Sequence, residues 1–180
     1  MKTALSAVVG LGGERDTLRL GALFARCLPN APQGLTICLR GGLGSGKTTL
    51  VRGLAAALPG GGEAEVSSPS FNIVNIYPTR PEVIHMDLYR LEGMVSDDLF
   101  EDVDVDPHGR AARLIIIEWA EFLPERLLPK DRLTLVWLPC ETGRTVRIEA
   151  SGMESERFFQ AISPLLGEFV ADRREQAPAE

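Results

Sequence analysis

Cysteine and histidine are scarce: the 180 residues include only three cysteines, Cys27, Cys38 and Cys140, and two histidines, His85 and His108. No CxxC pair or Cys/His cluster occurs, which argues against a zinc site or a disulfide framework. The cysteines read as small apolar side chains of a reducing compartment. No apolar run approaches the ~18 residues needed to span a bilayer. The N-terminus does not read as a secretion signal. Its short apolar stretch is broken by Gly10, Gly12 and Gly13, and no small-residue cleavage site precedes the charges. A cytoplasmic protein with no membrane attachment is expected. Positive charge is not in excess either. With 19 Lys plus Arg against 25 Asp plus Glu, the formal net charge is −6. That excludes a surface devoted to nucleic-acid phosphates, but not a local basic patch or a role exercised through a partner. There is no internal repeat at solenoid periods.

The remaining composition is that of a globular protein, with 44% hydrophobic and 24% charged residues. The length favours a single domain, expected over residues 1–170, with 171–180 as a polar tail. Apolar patterning predicts strands at 4–9, 34–40, 71–77, 83–88 and 114–118, and a late hairpin at 132–138 and 144–150. It predicts helices at 14–28, 47–58 and 154–169, with a short one at 96–101. βα units mixed with hairpins imply an α/β fold with a mostly parallel central sheet and antiparallel additions.

One motif carries chemistry. Residues 41–48 read Gly41-Gly42-Leu43-Gly44-Ser45-Gly46-Lys47-Thr48, matching G-x-x-x-x-G-K-[ST], between a predicted strand and a predicted helix. Glycines let successive N–H groups turn inward around phosphate oxygens, and the helix adds its positive end. Lys47 would reach the β- and γ-phosphates. The Thr48 hydroxyl would bind Mg²⁺, and Thr49 would lie near the α-phosphate. The alternative is an ordinary glycine-rich turn.

Hydrolysis needs more than a P-loop. Glu118 ends the apolar run LIIIE and could orient or deprotonate water; Asp87 ends IHMD and competes for the metal shell. Both stand where open α/β sheets place catalytic carboxylates, though strand-end surface carboxylates look the same in sequence. Trp119 reads as core packing before ligand contact. His85 reads as a strand residue, not a base. Tyr89 and Arg90 fit a charge-stabilising or a structural role, and the acidic run 96–106 a solvated face. No obvious arginine finger is present.

Several segments together resemble the TsaE (YjeE) ATPases of tRNA threonylcarbamoyladenosine synthesis. LRGGLGSGKTTLVRGL resembles the family's P-loop region, SSPSFNIVNIY its S-P-T-F/Y switch-like segment, HMDLYRL its H-x-D-L-Y-R-L, IIEWAE its I-E-W-P-E, and ERDTLRLGALFARCL its N-terminal helix. The resemblance implies a P-loop NTPase-like three-layer fold, binding of ATP and Mg²⁺, and weak hydrolysis by the isolated protein. It also implies partnership with TsaD and TsaB, and contact with tRNA only through that complex. It assigns Gly42, Leu43, Gly44, Ser45, Gly46, Lys47, Thr48 and Thr49 to the nucleotide, with Thr17 near its adenosine end. Asp87 becomes a Mg²⁺-site residue and Glu118 the hydrolysis-linked carboxylate, a candidate for the metal as well. Ser70 stands where the family has Thr and keeps a hydroxyl for the γ-phosphate or metal. Ala120 replaces the usual proline.

Two other classes share the P-loop. A small-molecule or nucleoside kinase would need an acceptor pocket and a basic lid, and no Arg-rich lid segment is visible. A nucleotide-gated binding module would need neither. No N/T-K-x-D motif supports a guanine-specific enzyme.

Overall fold

The runs TICLR, EVIHMD and RLIIIE are buried along almost their whole length, as strands covered on both faces must be. The computed structural model describes residues 5–28, 35–63, 66–69, 72–95, 113–140 and 142–169. Its strands are β1 Leu5–Leu11, β2 Thr36–Arg40, β3 Val74–Tyr77, β4 Glu82–Asp87, β5 Arg113–Glu118, β6 Arg132–Leu138 and β7 Arg144–Ser151. Its α-helices are α1 Glu14–Cys27, α2 Lys47–Ala57 and α3 Met153–Ile162. The strands form one sheet in the order β1-β7-β6-β2-β5-β4-β3.

The chain is α/β, as expected, but "mostly parallel" holds only for the centre. β6, β2, β5 and β4 run parallel, while β7, β1 and β3 join antiparallel at the two sides. Half of the pairings are therefore antiparallel. Short connections to β3 and β7 leave no room for a crossover helix, so those strands must turn back on their neighbours.

Alternation along the central strands sorts their side chains between two cores. Ile37, Leu39, Leu114 and Ile116 face the larger core, to which all three α-helices contribute: Leu20, Leu23 and Phe24 of α1, Leu50 and Leu54 of α2, Phe158 and Ile162 of α3. Phe24 meets Phe158 edge-to-face at 5.7 Å. Cys38, Ile84, Met86, Ile115 and Ile117 face the other core, against Ala120, Leu123 and Leu128. Among the described residues that second layer is built from 3₁₀ turns at Ala120–Phe122 and Glu125–Leu127, not α-helix.

α1 and α2 cross with almost nothing between them. A Cβ on Gly21 would overlap the Leu50 carbonyl, and one on Gly53 would lie 2.7 Å from Leu18 Cα. Only glycine permits this approach.

Two elements differ from expectation. β3 starts at Val74, because the chain turns tightly before it: the Ile73 N–H bonds the Pro69 carbonyl at 2.6 Å and Ile73 has φ 65°. The closing helix is not continuous to residue 169. It ends at Ile162, and a 3₁₀ segment covers Ser163–Phe169. Pro164 has no N–H to extend the α ladder. The short helix at 96–101 and the tail at 171–180 lie outside the described residues. Among the described residues, no helix is long and apolar enough to cross a membrane.

Candidate functional site

β2 ends at Arg40, α2 begins at Lys47, and the chain between them wraps a cavity of about 340 Å³. Gly44 (φ 71°) and Gly46 (φ 110°) take left-handed conformations that glycine adopts without strain. Gly46 caps α2 with no side-chain hydrogen bond, and no acidic residue occupies the first turn. The first N–H groups of α2 thus keep their positive field for an anion. Leu43 through Thr49 line the cavity, and the buried Ser45 Oγ has no hydrogen-bond partner among the described residues. Gly42 does not line it but supplies a carbonyl to Lys47.

Lys47 is only 4% exposed. Its Nζ donates to the Gly41 carbonyl at 2.6 Å and the Gly42 carbonyl at 2.9 Å, and lies 3.7 Å from the centre of the Trp119 ring. Burial pulls the ammonium below the ordinary lysine range, while Glu118, Glu121 and Asp87 push it back up.

The two strand-end carboxylates converge. Parallel pairing sets Asp87 of β4 in register with Glu118 of β5, beside the P-loop. The Thr48 hydroxyl donates to Glu118 Oε1 at 2.8 Å and approaches Oε2 at 3.1 Å. His85 Nε2 lies 2.8 Å from Oε1. Asp87 accepts from the Ser68 hydroxyl and, at 2.9 Å, from the Tyr89 N–H. Both carboxylates line the cavity although each residue is only 2% exposed.

Trp119 follows Glu118 with φ 58°. This turn puts its ring over Lys47 and between those of Tyr89, at 4.8 Å, and Phe122, at 5.5 Å. Trp119 therefore packs against the second core, as the sequence reading has it, and lines the cavity as well. Glu121 accepts the Gly41 N–H at 3.1 Å, tying the loop after β5 to the start of the P-loop.

Thr17 does not line the cavity. It is fully buried behind Gly46, donates to the Gly13 carbonyl at 3.1 Å and accepts from Arg144 at 3.2 Å. Arg144, the first residue of β7, does line the cavity. Sequence reasoning missed this arginine, because no motif surrounds it and the pairing of β7 with both β6 and β1 brings it here. Ser70 lies outside the described residues. Ser68, two positions earlier, lines the cavity and holds Asp87.

The donor set suits a hard cation. The Thr48 hydroxyl and the Glu118 and Asp87 carboxylates are oxygen ligands, and among the described residues no group of three or more His, Cys, Asp or Glu forms a complete cage. Mg²⁺ needs no such cage, since it takes one or two carboxylates plus phosphate and water.

A family model described as threonylcarbamoyl adenosine biosynthesis protein TsaE matches residues 11–146. The chain belongs to the TsaE family. It is 34% identical to a TsaE of Aquifex aeolicus over 139 residues, covering 77% of this chain and 92% of that one. It is 34% identical to a TsaE of Treponema pallidum over 121 residues, 67% of this chain and 83% of the relative. The crystal structure of Bacillus subtilis YdiB matches 92% of this chain and 99% of its own, with a TM-score of 0.69 and 25% identity. Membership places the chain in tRNA threonylcarbamoyladenosine biosynthesis, with a P-loop of the nucleotide-binding kind. The TsaE match runs from the end of β1 through Arg144, so it takes in every cavity residue described above.

Proposed function

We propose that this protein binds ATP with Mg²⁺ and hydrolyses it, slowly alone and faster with TsaD- and TsaB-type partners. It thereby drives turnover of the cytoplasmic complex that makes threonylcarbamoyladenosine in tRNA. The observation that carries the reading is the meeting of Thr48 with Glu118 beside a P-loop whose helix, α2, starts with no side-chain cap and no acidic residue in its first turn.

The residues divide the work by their chemistry. The P-loop amides and Lys47 hold the phosphates, the lysine as a mobile point charge that leaves the Gly41 and Gly42 carbonyls. Arg144 is the second cation at the cavity wall, anchored through Thr17. Thr48 and Glu118, with Asp87 through water, would hold Mg²⁺. Bound there, the ion would neutralise charge on the phosphates. Glu118 accepts hydrogen bonds and is the group suited to orient water or take its proton. Asp87, hydrogen-bonded by Ser68 and the Tyr89 N–H, is the second carboxylate available to the ion.

The test is phosphate release from ATP, with and without TsaD- and TsaB-type proteins and tRNA. Slow release alone and faster release with the partners is expected. No release in either case, or transfer of phosphate to an added metabolite, would overturn the reading.

A further inference from the structure

The buried histidine of β4 is not used in the scheme above, yet it touches the carboxylate on which that scheme turns. His85 is fully buried and the Glu118 side chain is 3% exposed. Along β4, His85 stands two residues before Asp87, the register partner of Glu118, and so shares its face of the sheet. Its two ring nitrogens have different neighbours. Nε2 meets Glu118 Oε1 at 2.8 Å, and Nδ1 meets the Tyr77 hydroxyl at 3.0 Å. Tyr77 in turn reaches the Ser67 carbonyl at 3.2 Å, one residue from the serine that holds Asp87.

The network links the proton to the Tyr77 hydroxyl, whose one hydrogen goes to Ser67 or to Nδ1. When it goes to Nδ1, the hydrogen of a neutral ring sits on Nε2 and is donated to Glu118, which offers only lone pairs when ionised; when it goes to Ser67, Nε2 carries a hydrogen only in the doubly protonated ring. The Thr48 hydroxyl is the other donor to Glu118, and it is the one a bound cation would draw away. His85 would then be the contact that keeps the carboxylate in place.

We propose that His85 is a positioning residue: its Nε2–H, backed by Tyr77, fixes the orientation of Glu118 for hydrolysis without touching nucleotide. This rests on the ATPase reading for its consequence, but not for its geometry. The geometry predicts a rescue pattern. Glutamine places its amide nitrogen near Nε2 and can still donate to Glu118. Asparagine reaches only the Nδ1 position and cannot.

Two measurements test it. The chain has two histidines, so ¹⁵N-histidine labelling with His108→Asn isolates the His85 ring in NMR spectra without nucleotide. A slowly exchanging Nε2–H whose shift moves in Glu118→Gln is expected; an unprotonated Nε2, or no response to Glu118→Gln, overturns the contact. In steady-state kinetics, His85→Asn should lower kcat by roughly 10- to 100-fold with ATP affinity kept within about twofold, while His85→Gln restores most of the rate. His85→Asn should add nothing to the loss already caused by Glu118→Gln. Equal loss in both His85 variants with lower thermal stability, or additive loss in the double variant, would reduce His85 to packing. A wild-type protein without ATPase activity would sink the functional reading, while the labelled spectrum would still decide the contact.

Discussion

The hydroxyl of Thr48 lies between the two carboxylate oxygens of Glu118, 2.8 Å from one and 3.1 Å from the other, although 70 positions separate them in the chain. Two elements that fold from distant segments thus meet in one polar contact at the first turn of α2. Thr48→Ala removes both that contact and the hydroxyl offered to Mg²⁺, whereas Thr48→Ser keeps them. Thr48→Ala should lower Mg²⁺-dependent hydrolysis by roughly 10- to 100-fold, with Thr48→Ser within a few-fold of wild type. A magnesium titration of phosphate release checks this, and equal loss in the two variants would contradict it.

Lys47 loses its proton more readily than a free lysine, because burial disfavours the ammonium more than its three acidic neighbours support it. Phosphate binding requires the charged form. ATP affinity should therefore decline as pH rises through the alkaline range, starting below the ordinary lysine value of 10.5. Above the pKa of the free protein, binding should take up a proton. Calorimetry in buffers of different ionisation enthalpy measures that uptake. Lys47→Met should bind weakly and show no such uptake.

Ser68 is exposed, yet its hydroxyl holds buried Asp87. Ser68→Ala should leave thermal stability within about 0.5 kcal/mol, as surface substitutions do. It should slow hydrolysis by roughly tenfold through a loosened Asp87. Wild-type turnover in Ser68→Ala, measured under saturating ATP and Mg²⁺, would show that Asp87 is held without the Ser68 hydroxyl.

At the α1–α2 crossing a methyl group has nowhere to go. Gly53→Ala should cost about 3 kcal/mol, the upper end of overpacking penalties. The melting temperature should fall by on the order of 10 °C. Because α2 carries Lys47 and Thr48, ATP affinity should fall too. An unchanged melting curve would mean that the helices separate without penalty.

The central strands and the P-loop were legible because their signals are local: uninterrupted apolar runs, and a glycine pattern at a strand-to-helix turn. Glu118 and Asp87 stood out as acids ending such runs. What sequence could not supply came from pairing partners. Arg144 enters the cavity because β7 lies between β6 and β1, and His85 reaches Glu118 because β4 and β5 run parallel in one particular register. Ser70 drew attention through a family pattern, while the described contact to Asp87 comes from Ser68, whose role depends on the turn around Pro69. The early end of α3 was foreseeable from Pro164, and the αL turn that swings Trp119 over Lys47 was not, since tryptophan has no local preference for it.

Arg144 arrives on the last of the described strands to be synthesised, and that strand must slot between β6 and the waiting β1. On the ribosome, the phosphate loop emerges long before its arginine wall can exist. A nucleotide that touches Arg144 would therefore grip only chains extended as far as β7, and its binding energy would favour them over any that stop short of that strand.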